Sequence, residues 1–150
     1  MSIEKDINQL KFKSEYQKSV INIIYTYNWT RERLQEIFDK ENLTPQQFNI
    51  LRILRGSSSP LSTLQIRERM LDKMSDTSRI VDRLVLKGLA KKVINKSDKR
   101  LVDVSISEKG KKVLQNMDQF ESDIEGVTKN LSLNEAKTLN KLLDKIRQTQ

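Results

Sequence analysis

The chain has 150 residues, of which 36% are hydrophobic and 32% charged, a formal net charge of +8, and neither cysteine nor histidine. This length suits a single domain over residues 1–150, and the missing residue types exclude disulfides, thiol switches and Cys/His zinc sites. Residues 1–10 lack the apolar run of a signal peptide, and no span of about 20 apolar residues follows. We therefore expect a cytoplasmic protein without a membrane span or a cofactor.

Helices are predicted over the first part of the chain. Apolar residues recur at intervals of three and four from residue 7 to residue 39, which predicts one long helix with room for a single break. The capping-box pattern of Thr44 and Gln47 predicts the start of a second helix. The same pattern in Ser62 and Gln65 predicts the start of a short third helix.

A fourth helix and a β-hairpin are predicted next. Either Asp72 or Ser75 could cap the fourth helix, which is expected to end before Gly88. Beyond that glycine the apolar period changes to alternation, which predicts two strands over residues 89–94 and 101–106. The order of elements is therefore helix, helix, hairpin.

Two further helices complete the predicted fold. Ser107 is expected to cap the fifth, and the capping box of Ser132 and Glu135 the sixth. The fold class is thus mainly α, with six helices and a small β-hairpin wing. Apolar stripes in the N- and C-terminal helices favour dimerisation, with packing inside the monomer as the alternative. These stripes contain Ile3, Ile7, Leu10, Leu139, Leu142, Leu143 and Ile146.

The positive charge is concentrated in residues 61–112, which hold 14 Lys/Arg against 7 Asp/Glu, or +7 of the total +8. Reading bases in a major groove requires short polar side chains and arginine forks on one helix face, because guanine offers two acceptors. An ordinary charged surface is the alternative. The negative charge of the Asp82 carboxylate would have to be neutralised if it lay near DNA phosphates. We expect Arg79 or Arg83 to neutralise it. The polar face of the fourth helix carries Ser75, Asp76, Ser78, Arg79 and Arg83.

The turn of the predicted hairpin is also basic. Lys96, Lys99 and Arg100 cluster at its tip. A protruding arginine can enter a narrow minor groove, where negative potential is concentrated. The alternative is a hairpin that lysines keep soluble. Together, a basic helix and a basic hairpin favour DNA binding more strongly than either does alone.

Two sequence blocks span these elements. One reads Ser78-Arg79-Ile80-Val81-Asp82-Arg83-Leu84-x-x-Lys87-Gly88-Leu89, and the other reads Asp98-Lys99-Arg100-x-x-x-Val104-x-Ile106-Ser107-x-x-Gly110. In these residues and in their spacing the chain resembles the MarR family of bacterial transcription regulators.

The resemblance implies a homodimeric winged helix-turn-helix repressor. Helices over about residues 4–39 and 108–148 would form the dimerisation layer, and residues 44–107 the DNA-binding lobe. The fourth helix would enter the major groove with Arg79 and Arg83. The third helix would cross the DNA backbone.

The resemblance also implies roles for the wing and for a ligand pocket. Arg100 would contact the minor groove, braced by Asp98 through a carboxylate–guanidinium pair. Small aromatic or anionic effectors would bind between the dimerisation layer and the DNA-binding lobe. Tyr25, Trp29 and Phe48 are therefore candidates for lining the pocket, although aromatic residues on helices more often pack in a core.

These observations lead to one main hypothesis and one rival. The main hypothesis is a sequence-specific regulator of double-stranded DNA, acting as a dimer on a pseudo-palindromic operator and released by a small organic effector. The rival is a winged-helix module that binds an acidic protein partner through the same basic face. No enzyme is expected, because the sequence has no recognisable arrangement of a Ser/Lys or carboxylate pair for catalysis.

Overall fold

The computed structural model describes residues 2–148, so Met1, Thr149 and Gln150 lie outside the described residues. Within that range it contains eight helices and three strands, two helices more than the sequence predicted. No helix in residues 2–148 is long and apolar enough to cross a membrane. The helices are α1 (Ile3–Asp6), α2 (Glu15–Asp39), α3 (Pro45–Arg55), α4 (Thr63–Arg69), α5 (Thr77–Leu86), α6 (Glu108–Asp118), α7 (Glu121–Gly126) and α8 (Leu133–Ile146). The strands are β1 (Leu61–Ser62), β2 (Ala90–Ile94) and β3 (Val102–Ile106).

The sequence predicted a helix that begins at residue 7. The N-terminal segment does not form this helix. Asn8 has a left-handed backbone with φ of 53°, which is incompatible with a continuing right-handed helix. Helix α2 begins after Ser14, whose hydroxyl accepts the Gln17 amide at 3.1 Å. The Lys13 amide in turn donates to Oε1 of Gln17 at 2.8 Å. The predicted helix is therefore confirmed only from Glu15 to Asp39, which α2 spans without a break, and α1 lies before the predicted range.

The predicted capping boxes are confirmed. In α3, α4 and α8 the cap hydroxyl accepts a backbone amide, and the glutamine or glutamate three residues later accepts the amide of the capping residue. Ser107 caps α6 by accepting the Gly110 amide at 3.0 Å. These starts are well predicted because each depends on residues only three positions apart.

The start of α5 differs from the prediction. Asp76 is the cap, and its carboxylate accepts the Arg79 amide at 3.1 Å. The two predicted caps instead form the turn before the helix. Asp72 accepts the Met74 amide through Oδ1 at 3.0 Å, and its carbonyl accepts the Ser75 hydroxyl at 2.8 Å. Both are therefore occupied in the α4–α5 loop.

The C-terminal helical region contains an interruption that the sequence analysis did not predict. After α6, Phe120 leaves helical geometry with φ of −98° and ψ of 9°, and packs against the core. The Lys40 ammonium lies 4.0 Å from the centre of the Phe120 ring. Tertiary packing of one aromatic side chain thus separates α6 from α7.

The strands form one antiparallel sheet in the order β1-β3-β2. The predicted hairpin is confirmed, with Ala90 opposite Ile106 and Ile94 opposite Val102. Strand β1 adds a third, two-residue edge in which Leu61 is opposite Val104. Two residues are too few to show an alternating pattern, so the sequence did not predict β1.

The hydrophobic core lies beneath α5 and the sheet. Val81 and Leu84 of α5 are fully buried, as is Val104 of β3. They pack in one cluster with residues of α3, α4 and α6, and with the C-terminal end of α2. The inner face of α5 is therefore fixed by the core, which leaves the outer face available for a partner.

Two glycines fix the junction between α5 and α6. Gly88 has φ of 72° and follows the end of α5. Its amide donates a hydrogen bond to the Val85 carbonyl at 2.9 Å, and the Leu89 amide donates one to the Leu84 carbonyl at 2.9 Å. This bond pair is a Schellman motif. At Gly110, an added Cβ would lie 2.2 Å from the Leu89 carbonyl oxygen, so a side chain there would force the two elements apart.

A bidentate ion pair links α3 to α6. The two terminal nitrogens of Arg55 lie 2.8 and 2.9 Å from the carboxylate oxygens of Asp118. The hydrogen bonds from Arg55 lower the pKa of the Asp118 carboxyl, so this carboxyl stays ionised to a lower pH than usual.

Candidate nucleic-acid interface

Helix α5 presents a polar outer face. Ser78, Arg79 and Arg83 are exposed on it, and Asp82 lies beside them. Ser75 is half-buried in the preceding turn, and Asp76 is exposed, although its carboxylate is occupied as the helix cap. The structure therefore places the predicted arginines outward and makes Asp76 a residue that fixes the start of the helix.

The wing turn between β2 and β3 contains no glycine or proline, and side chains determine its shape. Oδ1 of Asn95 accepts the amides of Ser97 at 2.8 Å and of Asp98 at 2.9 Å. The amide group of Asn95 donates to both carboxylate oxygens of Asp103 at 3.0 Å. This Asx turn anchors the tip to β3. No sequence pattern had indicated this role for Asn95.

Arg100 and Asp98 interact at the tip of the wing. Nε of Arg100 lies 3.4 Å from Oδ1 of Asp98, which also accepts the Arg100 amide at 3.0 Å. The Arg100 side chain is 93% exposed, whereas that of Asp98 is 41% exposed. Lys96 and Lys99 are exposed on the same turn. The carboxylate thus contacts one edge of the guanidinium while most of the side chain extends into solvent.

Asp82 is neutralised by a different residue from the one predicted. Its Oδ1 lies 2.8 Å from the Lys92 ammonium, so the expectation of Arg79 or Arg83 is wrong. Lys92 lies on β2, and only the packing of β2 against α5 brings the two together. Both arginines consequently have no carboxylate partner within residues 2–148, because none of the ion pairs there includes them.

A shallow groove separates α4 from the start of α5. Thr63, Leu64 and Arg67 line it from α4, opposite Ser75 and residues 76–78. Arg67 is exposed and lies in the last turn of α4. The family resemblance implied that this helix crosses the DNA backbone, without indicating a contact residue. The signal that could have found one is Arg67 itself, a basic residue directly after the apolar Ile66 of a short helix.

Lys87 at the C-terminal end of α5 faces the protein. Its ammonium donates to the Asn42 carbonyl at 2.6 Å and to Oε1 of Gln47 at 3.0 Å. Gln47 is buried and belongs to the capping box of α3. The Lys109 ammonium donates to the Lys87 carbonyl at 3.0 Å. Lys87 therefore ties the end of α5 to the α2–α3 turn.

A cavity of about 850 Å³ lies between α2, the start of α3 and the α4–α5 loop. Asn49 contributes to its wall and accepts the Leu71 amide through Oδ1 at 2.9 Å, so α3 holds the loop that precedes α5. The lining residues are Tyr27, Thr30, Arg31, Glu32, Leu34, Gln35, Glu36, Asp39, Thr44, Pro45, Gln46, Asn49, Met70, Leu71, Asp72 and Lys73.

The three aromatic residues suggested for a pocket do not line this cavity. Phe48 packs against Phe38, with ring centres 4.8 Å apart. The guanidinium of Arg33 lies 3.7 Å from the centre of the Trp29 ring. Tyr25 is 37% exposed on α2. Tyr27 lines the cavity instead, because residues two positions apart on a helix point in different directions.

Within residues 2–148, no three Asp or Glu side chains are arranged so that they could hold a metal ion.

These features define a class of protein. A basic helix packed on a small core, followed by a basic hairpin, is a winged helix-turn-helix. The sequence profile of the MarR family matches residues 43–102, from the end of the α2–α3 turn to the start of β3. Over this segment the chain is similar to the MarR family.

Relatives and solved structures show the same similarity. The uncharacterized HTH-type transcriptional regulator YpoP of Bacillus subtilis (strain 168) is 31% identical over 93 residues, which are 62% of this chain and 64% of YpoP. The match thus spans just under two thirds of that relative. The multiple antibiotic resistance protein MarR of Escherichia coli (strain K12) is 28% identical over 127 residues, 83% of this chain and 88% of that protein. A crystal structure of a mutant E. coli MarR complexed with operator DNA has 25% identity and a TM-score of 0.80, covering 92% of this chain and 99% of that one.

Proposed function

We propose that this chain is a sequence-specific, double-stranded DNA-binding transcription regulator. The observation that carries the proposal is the exposure of Arg79, Arg83 and Arg100 on two elements of one lobe, without a full carboxylate partner for any of them within residues 2–148. Similarity over nearly the whole chain to an E. coli MarR structure with operator DNA supports the same function.

Each basic element has a distinct role in this proposal. Helix α5 enters the major groove, where Arg79 and Arg83 donate to base edges and Ser78 is close enough for a shorter contact. The wing places Arg100 in the adjacent minor groove, with Lys96 and Lys99 near phosphates. Phosphate contacts fix the register of the protein, while the arginines on α5 read sequence.

The active form is a homodimer. Leu142 and Ile146 of α8 are 54% and 62% exposed, and Val20 and Ile24 of α2 are 57% and 56% exposed. A second copy of the chain would remove these apolar faces from water. Ile3 is already buried inside the protomer, so the predicted N-terminal stripe belongs only in part to the dimer. A two-fold dimer recognises a pseudo-palindrome with half-sites about one helical turn apart.

A small organic effector would bind in the 850 Å³ cavity and release the DNA, as expected of a repressor. The cavity is large enough for such a ligand. Its wall includes the α4–α5 loop, so an occupant would contact the residues that precede the recognition helix. Ligand binding would then favour a different position of α5.

A selection experiment separates this proposal from the acidic-partner alternative. Purified protein would be mixed with genomic DNA fragments, and the affinity for a recovered duplex compared with that for a shuffled duplex of equal length. A regulator binds the recovered duplex by orders of magnitude more tightly, and its affinity falls with added NaCl because counterions are released. Equal affinity for both duplexes would contradict the proposal and favour the alternative.

A further inference from the structure

The cavity walls carry an excess of negative charge, although the chain as a whole is strongly basic. Glu32, Glu36 and Asp39 lie along one side of α2, and Asp72 faces them from the α4–α5 loop. Only two cationic side chains, Arg31 and Lys73, belong to the same lining. The lining therefore has a formal charge of −2, in a chain whose formal charge is +8.

The carboxylates of the cavity are not neutralised by the protein. None of the ion pairs within residues 2–148 includes any of the four. The Lys73 ammonium donates to the backbone carbonyl of Glu68 and is directed toward α4. Glu32 and Glu36 are four residues apart on α2, a spacing at which like charges repel. A bound cation would relieve that repulsion.

The rest of the lining is suited to an apolar or aromatic body. Leu34, Pro45 and the exposed Leu71 provide aliphatic surface, and Tyr27, a residue that is 62% exposed, provides an aromatic ring. Aromatic rings attract cations through their negative faces, most strongly where water is excluded. An aromatic ring with nearby carboxylates is the chemistry that recognises organic cations, whereas an organic anion would meet repulsion here.

We infer that the cavity takes a lipophilic organic cation, with its positive centre among Glu32, Glu36 and Tyr27 and its apolar body against Leu34 and Leu71. This inference rests on the proposed function, since it assigns a chemical class to the effector of that regulator. It also accounts for the acidic lining, which DNA binding does not require.

The test uses two ligands of the same shape and opposite charge. Binding of tetraphenylphosphonium and of tetraphenylborate to the full chain would be measured by calorimetry, without DNA, in a sodium buffer. The phosphonium should bind at least about tenfold more tightly than the borate, a difference of about 1.4 kcal/mol. The global charge of +8 favours the borate, so this order can arise only from a local site.

A matched pair of double variants locates the site. Replacement of Glu32 and Glu36 by glutamine should weaken phosphonium binding about threefold to tenfold, as expected for two partly exposed charges. Glu121 and Glu125 have the same spacing on α7 and do not line the cavity. Their replacement by glutamine makes the same change in charge and should leave binding unchanged. Circular dichroism of each variant establishes that it is folded. Tyr27→Ala keeps every charge and should also weaken phosphonium binding.

The outcomes are distinct for the two proposals. Borate binding as tight as phosphonium binding, or equal losses in both double variants, would overturn the inference of a cationic ligand while the DNA-binding function stands. Failure to select any DNA would overturn the regulator, while a phosphonium preference that depends on Glu32 and Glu36 would still establish the cation site.

Discussion

Arg100 is held at its base and exposed at its end. The Asp98 carboxylate contacts its Nε and its backbone amide, and the side chain beyond is 93% exposed. The pair itself adds little stability, because both side chains are accessible to water. Its value lies in orientation, since it limits the directions in which the guanidinium can point before DNA is bound.

Alanine substitutions test the assigned arginines. Arg79→Ala and Arg100→Ala should each weaken binding to the selected duplex by about 1–3 kcal/mol if they contact bases or the minor groove. Lys129→Ala removes the same charge from the turn before α8, outside the DNA-binding lobe, and should have almost no effect. The measurement is duplex affinity at one fixed NaCl concentration. Wild-type affinity in both arginine variants would show that these residues are not the contacts.

At the scale of elements, the sequence predicted most of what short spacings determine. The capping boxes before α3, α4 and α8 and the alternation in β3 are local patterns, and each was confirmed. The start of α5 was missed because Asp72, Ser75 and Asp76 are all good caps, and only the loop structure selects Asp76.

Contacts between distant residues were not predictable in the same way. Asp82 pairs with Lys92 because β2 packs against α5, and the periodicity of neither segment predicts that contact. The cavity likewise brings α2 residues together with the α4–α5 loop, which lies far along the chain. The family resemblance pointed to aromatic residues of α2, but choosing Tyr27 over Tyr25 or Trp29 requires the direction in which each side chain of the helix points.

Lys87 links two elements that have different roles. It joins the end of α5 to Asn42 and Gln47, while Thr44 and Pro45 of the same segment line the cavity. Lys87, a half-buried residue, therefore lies between α5 and the cavity wall. We expect it to position α5 rather than to contact DNA.

Lys87→Met keeps most of the apolar stem and removes the donors. Losing these hydrogen bonds should lower the free energy of unfolding by about 1–3 kcal/mol. It should also weaken DNA binding at temperatures where the variant is fully folded, because the end of α5 is released. Hydrogen exchange should become faster in residues 42–47 and 84–88. Lys129→Met removes the same positive charge elsewhere in the chain and serves as the control. Normal DNA affinity and normal exchange in a merely less stable variant would show that Lys87 has no positioning role.

The basic charge of the molecule and the exposed apolar faces of α2 and α8 lie in different segments of the chain. Seven of its eight net positive charges belong to residues 61–112, whereas the large exposed apolar residues of α2 and α8 lie outside that segment. The basic lobe is suited to phosphate and the apolar faces to a second copy of the chain. A dimer of this kind carries two recognition helices and two wings related by a two-fold axis.

Methylation interference on the selected duplex tests the central claim most directly. Methylation at guanine N7 blocks the major groove, and methylation at adenine N3 blocks the minor groove. Two recognition helices predict two clusters of interfering guanines with centres about one helical turn apart, and two wings predict interfering adenines beside each cluster. A single cluster, or binding that methylation in neither groove reduces, would contradict a two-fold dimer that reads bases with α5 and the wing.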